Sequence, residues 1–311
     1  MSDNKNEKKI FCLMGPTAAG KTLLAAELAK RLPFDIISVD SAMIYRGMDI
    51  GTAKPTVLEL KITPHYLIDI RDPSETYSAG KFHQEATTKI EEIFAKGRIP
   101  LLVGGTMLYF HALQHGISNL PHADERVRAK IKADKDKFGI EALYHQLQKI
   151  DPETATKVSK TDSQRIQRAL EVHMITGKSI SELKLISPPQ ALPYPIVNIV
   201  VAPLDISNLR CRIKERFEKM LQLGFIEEVQ QLYQRGDLNP DLPSMRTVGY
   251  RQVWQYLSGQ IDYEQMLELI PIATNQLAKR QLTWLRTWKE AIWFDSNSAE
   301  LISVVLNAIK F

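Results

Sequence analysis

The sequence predicts an α/β protein, a parallel sheet flanked by helices and interrupted by an all-helical insertion. Three observations point there. Short, continuous apolar runs alternate with helix-patterned segments over the first third of the chain, as expected of parallel strands covered on both faces. One of those runs leads straight into a glycine-rich loop and then a helix, within residues 10–32. Strand-like runs then vanish between residues 121 and 194, and one reappears at Ile196.

Taken in order, Ile10-Phe11-Cys12-Leu13-Met14 reads as a buried strand, and the helix after the loop covers 22–32. Ile36-Ile37-Ser38-Val39 is a second strand, ending at Asp40. Ser78 is placed to cap a helix running to about Lys96, because its hydroxyl can accept from a first-turn amide. Residues 99–103 form a further strand that ends at Gly104-Gly105-Thr106. Within the polar, helix-patterned stretch, Thr161-Asp162-Ser163-Gln164 fits a capping box, and that helix stops at Gly177. Pro188, Pro189, Pro193 and Pro195 stiffen the return, 196–201 resumes the sheet, and a basic helix at about 207–222 opens a helical C-terminal region. The expected organisation is a core of 1–120 and 195–311 with a helical insertion domain of 121–194. Ligands of open parallel sheets sit beyond the carboxyl ends of the strands. The loop, Asp40 and Gly104-Gly105-Thr106 all fall there and should converge.

Composition narrows the class. Hydrophobic residues make up 44% of the chain, enough for a core, yet no run approaches the roughly 20 apolar residues of a membrane span. No membrane partner is expected. The first eight residues are polar, with no apolar segment behind them, and read as a disordered tail rather than a secretory signal. A cytoplasmic location follows, and Cys12 and Cys211 then read as free thiols. A net charge of +4 permits a nucleic-acid partner without requiring one.

The loop GPTAAGKT comprises Gly15, Pro16, Thr17, Ala18, Ala19, Gly20, Lys21 and Thr22. Its G-x-x-x-x-G-K-[ST] spacing, between strand and helix, is that of a phosphate-binding loop in a P-loop NTPase-like sheet. Backbone amides and the helix N-terminus face the anion, Lys21 adds a point charge, and the Thr22 hydroxyl can hold Mg²⁺. Nothing in the loop reads a base. Asp40 fits two roles, an aspartate ordering Mg²⁺ or a general base facing an acceptor, since carboxylates are ionised at neutral pH. Thr106 is either part of a tight strand–helix turn or a hydrogen-bonding group between the loop and Asp40. Arg212 and Arg216, one turn apart, are either a solvated basic face or a clamp on a diphosphate. The run KRQLTWLRTWK at 279–289 pairs cations with tryptophans, as RNA binding wants, but its Leu282 and Leu285 also suit a core-facing stripe. His111 and His115 share a helix face without an evident third zinc ligand.

Beyond the loop, SVDSAMIYRGMDIGTAKP (38–55), DPSETYSAGKF (72–82), GGTMLYF (104–110), DSQRIQRALEV (162–172), MRTVGYRQ (245–252) and AKRQLTWLR (278–286) occur in the order seen in tRNA dimethylallyltransferases. The sequence resembles that family over nearly its whole length. Met43 and Ala19 look like tolerated variants of the pattern. The resemblance implies transfer of a dimethylallyl group from its diphosphate to N6 of adenosine 37 of tRNA, beside the anticodon, in tRNAs reading codons that start with U. The phosphate loop would then hold an allylic diphosphate with Mg²⁺, although by motif it is a nucleotide- and ATP-binding loop. Asp40 would be the base and Thr106 would help fix the amine, with Arg212 or Arg216 on the diphosphate. The resemblance places tRNA contacts on Asp40, Ser41, Ala42 and Met43, on Thr106 and Arg128, and on Gln164, Arg165, Ile166, Gln167 and Arg168. It adds Arg246, Thr247, Val248, Gly249, Tyr250 and Arg251, then Lys279, Arg280, Gln281, Leu282, Thr283, Trp284, Leu285 and Arg286. A monomer is expected. The rivals are a P-loop nucleoside or nucleotide kinase, a GTP-dependent switch, for which no N-K-x-D sequence occurs, and an isopentenyltransferase acting on free adenylate.

Overall fold

A computed structural model describes residues 8–118 and 120–309, so the expected N-terminal tail lies, but for Lys8, outside the described residues. The chain begins with β1 (Ile10–Met14), α1 (Lys21–Arg31) and β2 (Phe34–Val39). Then come α2 (Val57–Ile62), the two-residue β3 (His65–Tyr66), α3 (Ala79–Ala95), β4 (Ile99–Gly104) and α4 (Met107–His115). Four helices follow without a strand: α5 (Glu125–Ile150), α6 (Pro152–Lys157), α7 (Ser163–Thr176) and α8 (Ile180–Ile186). The rest is β5 (Ile196–Ala202), α9 (Ile206–Gln222), α10 (Phe225–Gln234), α11 (Tyr250–Leu257), α12 (Tyr263–Leu285), β6 (Ile292–Asp295) and α13 (Leu301–Ala308).

All six strands lie in one parallel sheet of order β3-β2-β4-β1-β5-β6. Every residue of β1 is buried, which explains why its sequence is apolar throughout rather than alternating. On one face Phe11, Leu13, Ile36, Leu101 and Ile199 pack with Leu24 and Leu28 of α1 and Val305 of α13. Each such fully buried side chain is worth about 1.5–3 kcal/mol relative to exposure. Register sets the working end. Met14 pairs with Gly104, and Gly104 with Val39, so the three segments that follow leave the sheet side by side. The expected convergence of the loop, Asp40 and Gly105-Thr106 is therefore a matter of strand order. Close packing also dictates Gly15, where a Cβ would sit 2.2 Å from the Val201 carbonyl oxygen.

Contacts divide the chain into two compact units, residues 1–114 with 193–311, and residues 115–192. The second unit has its own core of Ile131, Leu143, Leu147, Ile166 and Leu170. Its long α5 is broken at Gly139, whose φ of 82° is outside the helical region. The expected capping box at Thr161 does not form. Asp162, one residue later, is the N-cap of α7, accepting from the Arg165 amide, while the Thr161 hydroxyl pairs with the Ser159 hydroxyl at 3.1 Å. At the far end the helix stops at Gly177 as expected, with the glycine in the left-handed conformation. Among the described residues no helix is long and apolar enough to cross a membrane, and both cysteines are free.

Candidate active site

One cavity of about 620 Å³ opens at the carboxyl ends of β1, β2 and β4. Of the loop, Thr17, Lys21 and Thr22 line it. The loop's geometry follows from its residues. Gly20, at φ 81°, is the N-cap of α1 and has no side chain to satisfy the first-turn amides, which stay open to an anion. Ala18 is held at φ 61°, a conformation that costs an L-residue about 1–2 kcal/mol. Lys21 folds back so that its ammonium donates to the Pro16 carbonyl at 2.6 Å. Although the residue as a whole is half-buried, burial of its ammonium pushes its pKa down to about 8, with Asp40 opposing and Arg216 adding to the fall. Burial likewise lowers Arg216 against the pull of Asp40. Lys21, Arg216 and Asp40 therefore share one electrostatic neighbourhood.

Asp40 follows β2 and folds into a tight turn: its Oδ1 accepts from the amides of Ala42 (2.8 Å) and Met43 (3.2 Å). Its Oδ2 accepts no hydrogen bond among the described residues. Thr106 Oγ1 accepts from the Ser41 amide at 3.0 Å and lies 3.3 Å from the Ser41 hydroxyl, tying the two strand ends together. Asp40, Ser41, Ala42, Met43 and Thr106 all line the cavity, as do Arg246, Thr247, Val248, Gly249, Arg280, Gln281 and Trp284. Its apolar wall includes Ile213, Phe217, Phe225, Met107 and Leu277.

Several expected site residues lie elsewhere. Arg212 is turned from the cavity, held by the Ser296 hydroxyl and carbonyl and by Asn297 Oδ1 at 2.6 Å, whereas Arg216 lines the cavity and donates to the Thr52 carbonyl. The two arginines do not form a clamp. Tyr250 is fully buried, edge-on to Phe225, with its hydroxyl donating to Glu228, so its side chain packs in the core rather than lining the cavity. Ile166, Leu282 and Leu285 are core residues for the same reason. His111 stands edge-on to the Trp284 ring, and no cluster of metal-ligating side chains occurs among the described residues. In the second unit, Arg128 and Arg168 both bind Glu171, which is completely buried. Gln164 and Arg165 of the same helix are exposed, while Gln167 is half-buried. Lys279, Thr283, Arg286 and Arg251 are exposed outside the cavity lining.

The Glu171 site has a stability consequence. Burial opposes its ionisation, but hydrogen bonds from Arg128, Arg168 and the Asp124 amide win, holding it below the usual glutamate range. A carboxylate depressed in the fold stabilises it at neutral pH, and that contribution drains away as pH falls through the depressed value. Glu171→Ala should lower the unfolding free energy by about 2–4 kcal/mol at neutral pH, with a smaller difference in acid. Denaturant unfolding of both proteins across a pH series measures this; equal losses at all pH values would show that only packing was removed.

Sequence reasoning missed three features. Glu228 accepts from the amides of Asp49, Ile50 and Gly51, fixing the segment behind the cavity, and nothing local in the sequence marks it. Gln281 accepts from the Thr17 amide and donates to the Gly105 carbonyl. His65 lines the cavity with Nδ1 2.7 Å from the Thr63 carbonyl, while its buried Nε2 has no hydrogen-bond partner. Burial lowers its pKa, which favours the neutral ring with Nε2 as an acceptor.

The fold and the cavity together define a P-loop protein whose loop faces a carboxylate across an apolar-walled chamber. Residues 43–288 match the family model described as IPP transferase. A tRNA dimethylallyltransferase of Coxiella burnetii is 55% identical over 99% of this chain and 98% of its own length. The crystal structure of the tRNA isopentenylpyrophosphate transferase of Bacillus halodurans superposes with a TM-score of 0.71 at 38% identity, covering 97% of this chain and 96% of that one. A eukaryotic dimethylallyltransferase acting on tRNA reaches a TM-score of 0.81 at 26% identity over 97% of this chain and 78% of its own. The chain belongs to the tRNA dimethylallyltransferase, or IPP transferase, family.

Proposed function

We propose that the protein transfers a dimethylallyl group from dimethylallyl diphosphate to N6 of adenosine 37 in tRNA, in tRNAs that read codons beginning with U. The observation that carries this reading is the single cavity in which Lys21 and Arg216 lie with Asp40 and Thr106. The loop amides, Lys21 and Arg216 hold the diphosphate and take up the charge that grows on it as the C1–O bond breaks. N6 attacks C1, and its proton passes to Asp40 as the new C–N bond forms. Thr106 orients the amine, and the apolar wall receives the prenyl chain while excluding water. The donor set suits Mg²⁺, a hard cation that takes one or two protein oxygens with the phosphates. Thr22 would hold it, and its chemistry would be neutralisation of the leaving diphosphate. The adenine must leave its stack to enter, at a cost of a few kcal/mol that RNA contacts offset. We assign those contacts to Arg246, Arg280 and Trp284 at the cavity, to Lys279 and Arg286 beside it, and to Gln164 and Arg165 of the helical unit. The protein acts as a cytoplasmic monomer.

Incubation with labelled dimethylallyl diphosphate and either bulk tRNA, AMP, or ATP with nucleosides tests the reading. Label should enter tRNA alone; phosphoryl transfer from ATP would make the protein a kinase. A second expectation concerns the exposed cations. Neutralising Lys279 or Arg286 should weaken binding of all anticodon stem-loops alike and make the log-affinity versus log-salt slope shallower by about 0.7 per site. Selective loss on one loop sequence would show base reading instead.

A further inference from the structure

We infer that Gln281 is a positioning residue, a pin that holds the phosphate loop at a fixed distance from the acceptor side of the cavity, an assignment that rests on the transferase reading above. The ladder between β1 and β4 ends at Met14 and Gly104, and beyond it no backbone hydrogen bond joins the two loops among the described residues. The Gln281 side chain supplies the next link from a distant helix. Its Oε1 accepts from the Thr17 amide at 2.9 Å and its Nε2 donates to the Gly105 carbonyl at 2.8 Å. The carboxamide offers an acceptor and a donor on one rigid plane, matching the two backbone groups it joins. Glutamate would lose the donor, and methionine both. The opposite wall is cut to fit, since a Cβ on Gly105 would lie 2.5 Å from Gln281 Nε2 and 3.4 Å from the Gly15 carbonyl oxygen.

Gly105 precedes Thr106, and Thr17 lies within the phosphate loop. Holding these two backbones together sets how close C1 of the bound diphosphate comes to the amine. Rates of oriented reactions are steep in that distance, with about 1 Å of misplacement costing roughly 100-fold. The same amide stands between Arg280 and Trp284 along a helix whose other exposed residues suit RNA, so a direct RNA contact is the competing role.

Gln281→Met separates the two. The single-turnover rate at saturating RNA and dimethylallyl diphosphate should fall by about 10–100-fold, while stem-loop affinity stays within about twofold. Gly105→Ala displaces the amide from the other side and should produce a similar loss. The double variant should be no worse than the weaker single one, because both break one link. Thermal unfolding checks that each variant is folded. Weakened stem-loop binding with an intact saturated rate would make Gln281 an RNA contact and overturn the pin, as would additive losses in the double variant or no loss at all. Failure of the wild type to prenylate any RNA would instead sink the transferase reading. The pin would then still be tested by hydrogen exchange, since the Thr17 amide should exchange faster in Gln281→Met, and unchanged exchange would overturn it.

Discussion

Replacing Asp40 with asparagine should lower turnover by about 10²–10⁴-fold while leaving tRNA affinity nearly unchanged. The structure makes this a clean substitution. Oδ1 is engaged by the Ala42 and Met43 amides, and an asparagine oxygen can accept both bonds, so the turn survives. What disappears is the second carboxylate oxygen, the group proposed to take the N6 proton. An alanine would remove the turn as well and confuse the two effects. Single-turnover transfer and equilibrium binding of a minimal stem-loop are the measurements. Near-normal turnover in Asp40→Asn would reduce Asp40 to a turn residue.

Lys21→Ala should cost about 10²–10³-fold in kcat/KM for dimethylallyl diphosphate, the usual loss when one preorganised charge partner of a leaving group is removed. The pH dependence distinguishes a charge from a structural role. Burial lowers Lys21 to about 8 in the free protein, so its positive charge is present below that pH and lost as pH rises through it. An anion binds the charged form better, so pyrophosphate affinity should decline above pH 8, by at most about tenfold per unit. In Lys21→Ala that decline should vanish. Calorimetric titration with pyrophosphate in two alkaline buffers reads this, and an identical pH profile in both proteins would rule Lys21 out as the titrating group.

The parts of the site governed by strand order were legible in the sequence. Continuous apolar runs identified β1, β2, β4 and β5, and a parallel sheet of such strands necessarily gathers their carboxyl-end loops. Roles that depend on which way a side chain turns were not legible. Arg212 and Arg216 share spacing and chemistry, yet one finds Ser296 and Asn297, some 84 residues away, and the other the cavity. Motif membership also overstated contact. In MRTVGYR and KRQLTWLR the exposed cations alternate with buried Tyr250, Leu282 and Leu285, which hold the helices in place. Gln164 and Arg168 fall on one face by helical spacing, but the buried charge of Glu171 draws Arg168 inward. Such demands come from tertiary partners, and no local pattern announces them.

β1 sits at the middle of the sheet, between β4 and β5, and its partner on one side is Ile196 onward. As the chain leaves the ribosome, β2, β4 and the phosphate loop are complete long before β5 exists. Until then β1 is an edge strand with unpaired backbone groups and wholly apolar side chains, a template for pairing with another nascent chain. The helical segment made in that interval has mostly local contacts and its own core, so it should fold first and quickly. Covering the β1 edge therefore waits on synthesis past residue 202, and the sixth strand on residue 295. A truncation ending within the helical unit would expose the β1 edge permanently, and aggregation is its natural fate.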